Sequence, residues 1–226
     1  MKDYMYLALA EQDGVRGYAA ATTHLVEAAR ERHDTSPTAT VALGRALTAC
    51  VLMSGLLKTG QRVALKWEGT GPLRKIVVEA DAKGRVRGYV AAPQVDLPGV
   101  RGELDIPAAI GHAGLLTVVR DLQLPELAEG AVHLATSDVA GDLQYFLEQS
   151  DQVPSAVEIG VSLNEDGSVA AAGGILIQPL PPYVPEVVER LKERLQEMPP
   201  VTAMLADGQK PEAILDEVFE GLNHKL

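Results

Sequence analysis

From Tyr4 to Ala10, and again from Val15 to Ala20, the chain reads as short β-strands, with Asp13-Gly14 as the turn between them. The period then lengthens. Thr22 or Thr23 suits a helix N-cap, and Leu25, Val26 and Ala29 share one face of a helix reaching His33. Pro37 breaks it. A longer helix follows from Thr38 to Lys58, in which Leu43, Ala46, Leu47, Cys50, Val51, Met53, Leu56 and Leu57 leave almost no polar side. Arg45 is its only charge before Lys58. A helix apolar all round belongs inside a protein, so this one is predicted to be the central helix of the core.

From Arg62 the period falls to two. Val63, Leu65 and Trp67 alternate with Ala64 and Lys66, Gly69-Thr70-Gly71-Pro72 turns the chain, and Leu73 to Ala80 and Val86 to Ala91 complete a meander around Lys83-Gly84. Pro93 to His112 is rich in Pro and Gly and is expected to be a loop with one helical turn. Leu115 to Val119 and Ala131 to Ala135 read as further strands, and Ser137 as the cap of a helix over Asp138 to Gln149. Ala156 to Leu163 and Ser168 to Gln178 pair as a hairpin around Glu165-Asp166-Gly167.

The composition shifts at Pro179. Pro181-Pro182 and Pro185 open an amphipathic helix to Met198, with Val187, Val188, Leu191 and Leu195 on one face. Pro199-Pro200 stops it. A short helix carries Val201, Met204 and Leu205, and Pro211 starts a last one bearing Ile214, Leu215, Val218, Phe219 and Leu222. The fold class expected is α+β. Mixed or antiparallel sheets pack around a buried central helix in a core domain over 1–178, followed by an all-helical appendage over 179–226.

Composition narrows the possibilities. Hydrophobic residues make up 46% but aromatics only 4%, so the core is built from Ala, Val, Leu and Ile. A net charge of -11 argues against a nucleic-acid partner, whose phosphates call for clustered Lys and Arg. It favours a chain that stays in solution while displaying apolar surface. The start Met1-Lys2-Asp3-Tyr4 has no signal-peptide pattern. The most apolar runs, Leu47 to Leu57 and Val169 to Ile177, are shorter than the roughly 20 residues of a membrane helix. The expectation is a cytoplasmic protein with no membrane partner. A single cysteine agrees with that compartment.

Catalytic patterns do not emerge. His24, His33, His112, His133 and His224 never stand at i, i+4 around a Glu, and nothing matches a calcium loop or the Gly-x-Ser-x-Gly elbow. Gly69-Thr70-Gly71-Pro72 joins two strands without a following helix and Lys-Thr pair, so it reads as a turn rather than a phosphate loop. Cys50, between Leu47 and Val51, reads as a buried apolar side chain rather than a redox thiol. Trp67 likewise reads as core. Val15 to Ala21 and Val86 to Ala92 share six identities, but their flanks differ, which points to chance or a shared edge-strand role.

The most informative pair of segments is Glu148-Gln149-Ser150-Asp151-Gln152-Val153-Pro154 and Ala171-Ala172-Gly173-Gly174-Ile175-Leu176-Ile177-Gln178-Pro179-Leu180-Pro181. A Gly pair inside a strand is unfavourable unless another backbone or a sharp bend needs the space. With Val15-Arg16-Gly17-Tyr18, Ala42-Leu43-Gly44-Arg45, Leu56-Leu57-Lys58 and Trp67-Glu68-Gly69-Thr70-Gly71-Pro72-Leu73, they resemble the thirty-three-kilodalton heat-shock protein family. These are redox-regulated, ATP-independent holdase chaperones of the bacterial cytosol, and the likeness runs in order from Tyr4 to Leu222. The family carries zinc on a C-terminal module of four cysteines. Here there is only Cys50, so neither zinc nor a thiol switch is expected in this chain. Asp216 to Leu222 resembles the stretch just before that module, which suggests a truncated form.

The resemblance implies no enzyme activity and no catalytic residues. It implies partly unfolded client proteins as partners, and a homodimer formed by exchanging the appendage. Val187, Leu191, Leu195, Met204, Leu205, Val218 and Phe219 are then the candidate client-binding or dimer surface. The competing expectations are a closed structural or interaction protein whose appendage stays docked, and an unrecognised hydrolase or transferase, which would carry a deep pocket with convergent polar groups.

Overall fold

The computed structural model describes residues 2–97, 99, 104–181 and 185–226. Strands β1 (Tyr4–Ala10), β2 (Val15–Ala21), β8 (Ala156–Leu163) and β9 (Val169–Pro179) form one sheet in the order β1-β2-β9-β8. Strands β3 (Arg62–Gly69), β4 (Lys75–Asp81), β5 (Val86–Val90), β6 (Gly114–Asp121) and β7 (Ala128–His133) form the second, in the order β5-β4-β3-β6-β7. Every pairing is antiparallel, so the expectation of mixed sheets narrows to antiparallel ones. Tight turns and antiparallel return strands suffice for this topology, whereas parallel neighbours need long crossovers.

Helix α2 (Pro37–Ser54) lies between the sheets, touching β3, β4 and β5 on one side and β2, β8 and β9 on the other. Sixteen of its residues are buried, from Thr38 to Ser54 with Arg45 excepted. Its length and composition would suit a membrane span, but the protein itself encloses it. The helix stops four residues before the predicted Lys58, because Leu56 and Leu57 bond back only three residues, to the carbonyls of Met53 and Ser54. Helices α1 (Thr23–His33) and α4 (Val139–Gln149) flank it.

The predicted caps are displaced by one residue or by a distant partner. Thr22 occupies the N-cap position of α1, but its hydroxyl bonds Thr48 at 2.7 Å. The Asp3 carboxylate caps instead, accepting from the amides of His24 at 3.1 Å and Leu25 at 2.7 Å. At α4 it is Asp138 that accepts from Ala140, while Ser137 donates to the Gly111 carbonyl at 2.8 Å. Strand β7 ends before the predicted Ala135, because Asp142 Oδ1 draws in the amides of Ala135 and Thr136, both at 2.9 Å.

In the predicted loop over 93–112, the expected helical turn is α3 (Ile106–Ile110); residues 98 and 100–103 lie outside the described residues. Gly69 to Pro72 is a turn, as read, held by the Thr70 amide on Ala113 O and the Gly71 amide on Ile110 O, both at 2.9 Å. The shared edge-strand role for the two echoing segments does not hold. β5 is an edge strand, whereas β2 is interior, between β1 and β9.

Beyond β9 come α5 (Pro185–Glu197), α6 (Val201–Ala206) and α7 (Pro211–Val218). Pro182, part of the predicted opening of α5, lies outside the described residues. The three helices cover the face of the four-stranded sheet opposite α2. The chain then returns to β1, where Leu9 and Lys225 exchange both backbone hydrogen bonds at 2.8 Å.

Candidate functional site

The alternation of side chains along a strand gives the four-stranded sheet two different faces. Tyr18, Ala20, Ala172 and Leu176 point toward α2 and the main core. Ala8, Ala10, Val15, Ala19, Ala21, Ala156, Ala171, Ile175 and Ile177 point the other way and form the floor of a second, separate apolar cluster. That floor is cut mainly from alanine, so backbones and helices approach closely. The Gly pair finds its reason here. A methyl on Gly173 would collide with Leu205 of α6 and the Ala20 carbonyl, and one on Gly174 would meet Leu52 of α2 at 3.0 Å from the opposite side. Each glycine makes room for a helix on a different face.

The candidate surface residues come together on this floor. Leu191, Leu195, Met204, Leu205, Val218 and Phe219 are all in the second cluster, none more than 9% exposed. Val187 packs only at the margin, and its neighbour Val188 is the buried one. Ile214 and Leu215 belong to the cluster as well. Phe219 lies over Gly17, where an added methyl would stand 2.5 Å from the ring. Each such side chain contributes roughly 1.5–3 kcal/mol on leaving water. The apolar stripes are therefore sealed in this state, and a surface made of them exists only when the helices leave the floor.

A polar rim fastens the helices. Tyr4 of β1 donates to Glu212 Oε2 at 2.6 Å, and burial together with that carboxylate pushes the phenol up to about 12. Lys192 of α5 reaches Glu148 of α4 at 3.1 Å. Arg194 donates to the carbonyls of Val218 at 2.9 Å and Glu220 at 2.6 Å, tying α5 to the end of α7. Glu158 of β8, on the floor side, accepts the Val201 amide at 2.7 Å, while burial raises its carboxyl above the usual range. The sequence reading missed Tyr4, Glu158 and Lys192. One signal was available: β9 is apolar in both registers over Ala171 to Ile177, as strands covered on both faces are.

Cys50 is fully buried, with Val63 O at 3.9 Å as its hydrogen-bond partner, and burial pushes the thiol up. A closed zinc site needs four donors of this kind. The single thiol, carried by α2 and buried in the core, does not fit that group. Trp67 is buried in the main core, as its alternating position predicts.

The family model described as Hsp33 protein matches residues 3–226. The chain belongs to the Hsp33 family. The 33 kDa chaperonin of Geobacter sulfurreducens is 53% identical over 220 residues, which are 97% of this chain and 73% of that protein. That of Citrifermentans bemidjiense is 51% identical, over 100% of this chain and 77% of its own length. The crystal structure of the 33 kDa chaperonin of Thermotoga maritima superimposes with a TM-score of 0.88 at 34% identity, covering 98% of this chain and 77% of that one. The α+β architecture is thus that of a solved Hsp33 homologue.

Proposed function

We propose that this chain is a chaperone of the holdase type, which captures partly unfolded proteins without ATP and prevents their aggregation. The observation that carries the reading is the second apolar cluster. It is a broad alanine and isoleucine floor, roofed by the separate helices α5, α6 and α7 together with Phe219. The names of the relatives, 33 kDa chaperonins, support it. Capture is non-catalytic. When the helices lift away, floor and stripes together offer apolar surface on which a client buries its own, and the charge of -11 keeps the complex dispersed.

In this reading the partners are unfolded clients and a second copy of the chain, the roof of each protomer seated on the floor of the other. The compartment is the cytoplasm. Among the described residues the roof is held by packing and the polar rim, with Cys50 sealed in the core. The sealing of Leu191, Leu215 and Phe219 favours one competing reading, in which the chain stays closed and has no client affinity.

Light scattering from a heat-unfolded client separates the two. A severalfold excess of this chain, without oxidant, is expected to suppress the scattering and to bind a hydrophobic dye in its native state. Unchanged scattering and no dye signal would establish the closed form.

A further inference from the structure

Glu158 stands between Ala156 and Gly160 on β8, the small positions that let α5 and α6 come close. Its Oε1 accepts the amide of Val201, the first residue of α6. Its Oε2 is buried and has no hydrogen-bond partner among the described residues. The side chain lines a crevice of about 250 Å³ between core and roof, with Gln144 of α4 and Lys192, Leu195 and Gln196 of α5.

The cation in that crevice is engaged elsewhere: Lys192 Nζ is 3.1 Å from both Glu148 of α4 and Glu189 of α5. No residue of α6 is ionisable, and Ile175 of β9 faces Glu158 across the ladder. The side chain is therefore half-buried, its Oε2 shielded from water, with one amide donor among the described residues for two oxygens. Such a group strongly disfavours its own ionised form, because an unpaired buried charge loses its hydration without compensation.

We propose that Glu158 makes the seating of α6 on the core pH-responsive, firm when the carboxyl is protonated and loosened when it ionises. The inference rests on the release of α5–α7 put forward above and names what regulates it. In the docked state, burial raises the carboxyl; the Val201 hydrogen bond opposes this and is outweighed. In the released state the side chain is in water at its ordinary value of about 4.3. The docked state thus binds the proton more tightly. Its advantage is complete below the ordinary value and is lost as pH rises through the raised one. Each pH unit between the two values shifts the docking equilibrium about tenfold. Asp142, the other buried carboxyl raised by desolvation, lies beneath the loop before α4 and makes no contact of this kind with the roof.

Amide hydrogen exchange over α6, corrected for the intrinsic rate and followed from pH 4.5 to 8, tests this on the full chain. The expected result is protection at Ala203, Met204 and Leu205 that falls as pH rises, while the amides of Leu65 and Val118 in the core stay constant. Glu158→Gln keeps an acceptor for Val201 and removes the charge, so its α6 protection is expected to be high and flat. A flat wild-type profile, or an unchanged slope in Glu158→Gln, would overturn the proposal. So would protection lower than wild type in that variant, since the carboxylate would then be an anchor. Exchange is read without any client. Correct exchange behaviour with no suppression of scattering upholds the latch and removes the holdase; suppression with a flat profile does the reverse.

Discussion

The two faces of the four-stranded sheet are both apolar and both covered, yet the covers differ in kind. On the inner face the cover is α2, one helix of 18 residues clamped between two sheets. On the outer face it is α5, α6 and α7, of 13, 6 and 8 residues, each with one side on the floor and the other in solvent. The inner contact pairs hydroxyls such as Thr22 and Thr48, though it leaves Trp67 Nε1 without a partner among the described residues. The outer one includes a carboxylate with an unpartnered oxygen, and rim bonds between partly exposed side chains. Equal hydrophobicity therefore does not mean equal permanence. The inner cover could not leave without unfolding both sheets, whereas the outer cover, in the release proposed above, would reorganise only itself, the pattern expected of a local opening unit.

The sharpest way to break the comparison is to damage each side in turn. Trp67→Ala empties the main core and is expected to lower the stability of the whole chain by about 3–5 kcal/mol in denaturant melts. Exchange protection should fall everywhere at once. Gly17→Ala places a methyl against Leu215 of α7 and Phe219, its C-cap. Overpacking of this kind costs about 1–3 kcal/mol. The loss should appear only in α7 and its neighbours, with more dye bound and stronger suppression of client scattering. A uniform loss of protection in Gly17→Ala would show that roof and core open as one.

The smallest expected effect is at the rim. Tyr4→Phe removes the hydrogen bond to Glu212 and should loosen α7 by about 0.5–1.5 kcal/mol. Protection at Ile214 and Leu215 should decline slightly, while that of α2 is unaltered.

Much of this fold was legible along the chain, because patterning acts locally. The periods of two and of 3.6 placed the strands and helices to within a few residues, and the apolar circumference of α2 marked it as central. The errors sit where a distant group intervenes. Asp3 caps α1 from more than twenty positions away, Asp142 pulls Ala135 out of the ladder, and Leu56 and Leu57 tighten out of helix. For the site, the residues of the amphipathic stripes pack into one cluster, with Val187 at its margin. They did not reveal Glu158, whose character comes from what encloses it rather than from its neighbours in sequence.

The sequence by itself determined that the glycine-paired strand is apolar in both registers, and which amphipathic stripes follow it. It also determined that Cys50 has no second cysteine in this sequence to pair with. Only the tertiary structure decided that Leu205 fills the space over Gly173, that Phe219 fills the space over Gly17, and that one oxygen of Glu158 is left without a donor. Burial and hydrogen-bond satisfaction are properties of assembled surfaces, and the groups that close this one come from opposite ends of the chain.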